Sequence, residues 1–63
     1  MKEVRDFPKV GDMIHIYHMF GESYYKDTEG IVKMVDEKNG YVYGTWGACA
    51  LVPGDNYVIL KEE

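Results

Sequence analysis

Two histidines three residues apart, His15 and His18, and one thiol, Cys49, are the side chains best suited to bind a metal or act as a nucleophile. On a strand, residues three apart face opposite sides, so the two imidazoles do not chelate one ion. A closed zinc site takes about four Cys or His ligands, and this set is too small for that. Cys49 sits among small apolar residues, with no Lys or His beside it in sequence. A reactive thiolate needs an electropositive setting, so Cys49 reads as a buried structural thiol. Ser23 lacks the glycine-flanked elbow of a serine hydrolase. Asp12, Glu22 and Asp27 are the loop carboxylates near a histidine, and metal-dependent nuclease chemistry would have to use them. Asp36-Glu37 and Glu62-Glu63 fall at a turn and at the chain end, where solvated charge is expected. The reading is a chain with no catalytic set, no metal and no cofactor.

Tyrosine is the residue type that stands out, with six in 63 residues. In the strand registers set out below, Tyr17, Tyr41 and Tyr43 point outward, and Tyr24 and Tyr25 fall in a long polar loop. Tyr favours half-buried strand faces for its own sake. Exposed, it also offers large contact area at low conformational cost. These five tyrosines are the expected partner-binding residues.

Strands must position them. MIHIYH, residues 13–18, alternates strictly, with Ile14 and Ile16 on one face and Met13, His15 and Tyr17 on the other. GIVKMVD, residues 30–36, is rich in β-branched residues, but Val32 and Val35 share a face only with a bulge near Lys33-Met34. EKNG, residues 37–40, contains an Asn-Gly pair suited to a tight hairpin turn. GYVYGTW places Val42, Gly44 and Trp46 on one face. ACALV reads as a short strand, PGDN as a turn and YVILK as the closing strand. The strands are expected near 12–19, 30–37, 40–46, 48–52 and 56–61. With no helical stretch to cover an open sheet, the sheet must close on itself. The expected fold is therefore all-β, a small five-stranded antiparallel barrel over about 9–61 with a charged arm, 1–8, in a single domain. Trp46 is expected to plug its core, flanked by small residues.

Eleven acidic residues against seven basic ones give a formal net charge of −4. Nucleic-acid binding relies on clustered Lys and Arg, whereas the six lysines here are scattered from Lys2 to Lys61. The charge disfavours nucleic acid as a partner and favours a protein with a basic surface. One cysteine allows no internal disulfide, and no stretch is long and apolar enough to span a membrane. A reducing, cytoplasmic setting is expected. A core this small is marginal alone, so a homo-oligomer is expected, with Tyr41 or Tyr43 in the contact.

K-V-G-D (9–12), H-x-x-G-E (18–22), E-G-I-V (29–32), G-T-W-G-x-C-A-L-x-P-G (44–54) and D-x-Y-x-I (55–59) together resemble a bacterial and prophage-borne family of small domains of unknown function. The resemblance covers roughly residues 7–60 and implies an SH3-like barrel. It also implies a phage setting, in which similar proteins antagonise CRISPR nucleases of the host. It brings no catalytic residues. Two functions follow as expectations. One is a non-catalytic, anti-CRISPR-like interaction module that binds a host macromolecule. The alternative is a nucleic-acid-acting protein with weak metal-dependent nicking activity.

Overall fold

The structure is a computed structural model, described here for residues 1–19 and 27–62. Tyr24, Tyr25, Glu22 and Ser23 lie outside the described residues. Within them the chain forms five strands and no helix: β1 (Lys2–Val4), β2 (Met13–His18), β3 (Thr28–Asp36), β4 (Tyr41–Gly44) and β5 (Asn56–Lys61). All pairings are antiparallel, in the order β1-β5-β2-β3-β4. From β2 to β4 the chain meanders, and β5 then returns to pair with β2 on its far side. Beyond β4 a single backbone pair, Val42 with Leu51, carries the sheet round toward the β5 segment. The result is a barrel-like all-β fold.

Two strand assignments differ from the sequence reading. Residues 48–52 are not a strand, since only Leu51 pairs. The Cys49 carbonyl is taken by the Trp46 indole, whose Nε1–H donates to it at 2.9 Å, and Pro53 has no N–H to offer a ladder. The N-terminal arm, by contrast, supplies β1. Lys2, Glu3 and Val4 pair with Lys61, Leu60 and Ile59 along the open edge of β5, and Val4 packs against the core.

The core forms where the alternation predicts it. Ile14, Ile16, Val32, Val42, Leu51 and Ile59 are buried in one cluster with Met19 and Trp46. The predicted bulge is present. Val32 opposes Gly44 and Met34 opposes Tyr43, so Lys33 is the extra residue that lets Val32 and Val35 turn inward together.

Trp46 follows β4 and lies against Gly30 and Gly44. A Cβ on Gly30 would stand 2.9 Å from the indole, and one on Gly44 would fall on its six-membered ring. The two glycines leave a hollow in the sheet that the indole fills, rather than simply a bend. The indole N–H is satisfied by the Cys49 carbonyl, and Trp46 keeps only 8% exposure.

Turns repeat one device. In Lys9–Asp12 the Asp12 N–H donates to the Lys9 carbonyl while the Asp12 carboxylate accepts from the Lys9 N–H. Val52–Asp55 makes the same two bonds, Asp55 serving as the closing residue. The third position in each is a glycine at positive φ, +96° at Gly11 and +101° at Gly54, as a type II turn requires. The β3–β4 loop departs from the two-residue turn suggested by Asn-Gly. Only Gly40 has positive φ, +75°. The loop spans residues 37–40, closed by the Gly40 N–H on the Asp36 carbonyl and by Asn39 donating through backbone and side chain to the Asp36 carboxylate.

Candidate interaction surface

Strand alternation turns His15 and Tyr17 outward together on β2, and their rings meet at 4.5 Å between centroids, tilted by 58°. Across the β2–β3 pair His15 faces Glu29. Its Nδ1 lies 3.0 Å from a Glu29 carboxylate oxygen, and its Nε2 lies 3.7 Å from Asp27. Asp27 holds φ at +52°, a left-handed conformation that Asp tolerates better than most residues. The two carboxylates address opposite nitrogens of one ring, so they orient the imidazole instead of converging with it on a point.

Tyr17 reaches the other way. Its hydroxyl donates to Glu3 on β1 at 2.7 Å, passing over β5. That hydrogen bond, with lesser help from desolvation and the Glu3 charge, holds the phenol above its ordinary pKa, against a smaller opposing effect of Arg5. The phenol therefore stays neutral and keeps donating at physiological pH. Glu3, Tyr17, His15, Asp27 and Glu29 form one connected polar face across four strands, with three carboxylates in it.

Tyr41 and Tyr43 share a different face. They sit opposite Asp36 and Met34 on the β3–β4 ribbon, with Tyr41 and Met34 exposed and Tyr43 half-buried. From Glu29 to Met34, the nearer member of this patch, is five steps along β3, roughly 16 Å at about 3.3 Å per residue. The sequence-predicted tyrosines thus fall on two patches. Glu3 is a member that sequence reasoning missed, because nothing local to KEV shows that it pairs beside β5.

Of the carboxylates considered for nuclease chemistry, the two among the described residues, Asp12 and Asp27, do not gather. Asp12 precedes β2 and locks the Lys9–Asp12 turn, whereas Asp27 lies beside the opposite end of that strand, roughly 15 Å along it. Among the described residues no group of three or more His, Cys, Asp or Glu side chains is placed to hold a metal. No helix among them is long and apolar enough to cross a membrane. No protein-family model matches the chain, nor does any curated protein or solved structure.

Proposed function

We propose that the protein is a non-catalytic interaction module that docks on the basic surface of a host protein. The observation that carries this reading is the outer face of β1-β5-β2-β3, where Glu3, Asp27 and Glu29 surround Tyr17 and His15. Carboxylates already oriented by neighbours meet an incoming Lys or Arg without further ordering, which is where electrostatic complementarity sets encounter rate and specificity. The setting we propose, from the family resemblance, is a prophage-borne inhibitor of a host defence protein, working in the bacterial cytoplasm. Self-association through Tyr41 and Tyr43 belongs to the same proposal, since it leaves the acidic face open.

The variant Glu3→Gln/Asp27→Asn/Glu29→Gln tests the reading. The amides at positions 3 and 29 keep an oxygen to accept the hydrogen bonds of Tyr17 and His15, and the 3.7 Å contact of Asp27 is electrostatic, so the fold should be retained while charge is removed. A host protein held by the wild-type chain should be lost from the variant. In parallel, supercoiled plasmid incubated with the chain and a divalent metal should stay intact. Metal-dependent nicking that disappears in Asp12→Ala would replace this reading with the nucleic-acid-acting alternative.

A further inference from the structure

Beside the Glu3 and Tyr17 end of the acidic face, the segment 5–7 after β1 and the Val52–Asp55 turn face each other across an open groove of about 290 Å³. Its walls are fixed. The turn carries its two internal hydrogen bonds, segment 5–7 is anchored by β1 on one side and buried Pro8 on the other, and Arg5 ties wall to wall by donating to the Asn56 side-chain oxygen at 3.1 Å. The lining is apolar and aromatic at Phe7, Pro53 and Tyr57, with Asp6 and Asp55 among them. Phe7 is 40% exposed although it is a large aromatic. Burial, and secondarily the Asp55 charge, push the Tyr57 phenol upward, so it presents a neutral ring. Gly54 adds no side chain, and even a Cβ there would meet nothing within 4 Å.

The volume falls at the lower limit of small-molecule pockets, which begin near ~300 Å³, and suits a single side chain. Asp6, with Asp55 whose carboxylate also accepts from the Val52 N–H, gives two negative charges against the one guanidinium of Arg5, and that balance selects a cation. Aromatic rings beside a carboxylate select a planar one, because a guanidinium packs on rings and bonds a carboxylate through two parallel N–H groups. We infer that this groove is a docking site for an arginine side chain protruding from a protein partner. The inference rests on the reading that the partner is basic, and adds a second point of contact beside the first.

N-acetyl-arginine amide titrated into the ¹⁵N-labelled chain tests it without any partner. Amide shifts should saturate at residues 5–7 and 52–57, half-complete on the order of millimolar, as expected for so small a ligand. Asp6→Asn should weaken the response at least ~3-fold. N-acetyl-lysine amide should bind more weakly. The inference is overturned by absent shifts, by shifts centred on His15 and Glu29, by an equal response to the lysine analogue, or by an unchanged Asp6→Asn. None of those outcomes touches the acidic-face reading, which is decided by partner loss in the Glu3, Asp27 and Glu29 variant.

Discussion

At Gly44 an alanine methyl would fall on the six-membered ring of Trp46 with the Ile31 carbonyl close behind, so neither the indole nor the strand can yield easily. Overpacking of this kind costs typically 1–3 kcal/mol. Gly44→Ala should destabilise the chain by that amount, read as a lower urea midpoint, and red-shift the Trp46 emission as the indole is pushed outward. Unchanged stability and emission would mean the indole does not rest on the glycines. Gly40 carries a different constraint. Its φ of +75° and the Pro53 ring, 2.9 Å from where a Cβ would sit, both oppose a branched side chain. Gly40→Val should cost at least ~1 kcal/mol, measured as a lower urea midpoint. An unchanged midpoint would refute the turn geometry.

Among the elements, the β3–β4 loop makes its stability pH-dependent. Hydrogen bonds from the Asn39 side chain, then its backbone, hold the Asp36 carboxyl below its ordinary value. A lowered folded-state pKa stabilises above the unfolded value, near ~3.9, and that contribution disappears as pH falls through the folded value. Asp36→Asn should therefore melt lower than wild type at pH 7, with the gap closing below about pH 4. A gap that persists in acid would place the effect elsewhere. How far such elements can be read without coordinates depends on what forms them. β2, the bulge at Lys33, the Pro53-Gly54 turn and the inward set from Ile14 to Ile59 follow from alternation and turn chemistry, which are local. β1 is a strand because β5 offers an unpaired edge, and three residues, KEV, cannot announce that. Residues 48–52 look like a strand locally, and lose the ladder to an indole three residues upstream. The candidate face was half legible: His15 beside Tyr17 follows from a spacing of two, whereas Glu3 reaches Tyr17 only through the sheet order. The arginine groove joins residues nearly fifty apart, so no window of sequence contains it.

For the whole molecule, a small core with no disulfide leaves self-association as the available reinforcement. Met34, Tyr41 and Tyr43 share the outer face of the β3–β4 ribbon, and two such faces burying each other would add apolar contact. Sedimentation equilibrium at micromolar concentration should give at least twice the 7.3 kDa chain mass, falling to one chain in Tyr43→Glu, where a carboxylate would be trapped in the contact. A wild-type monomer would contradict the assembly. Larger still is the claim that this chain acts by binding, through the face built on Glu3, Tyr17, His15, Asp27 and Glu29. Its most direct measurement is the binding isotherm of the captured host protein on wild-type chain and on Glu3→Gln/Asp27→Asn/Glu29→Gln, each at low and moderate salt. Affinity should fall at least ~10-fold in the variant, and the wild-type complex should weaken with salt far more than the residual one, since exposed charges are screened. Equal affinity in the two chains, with the same salt response, would contradict the account.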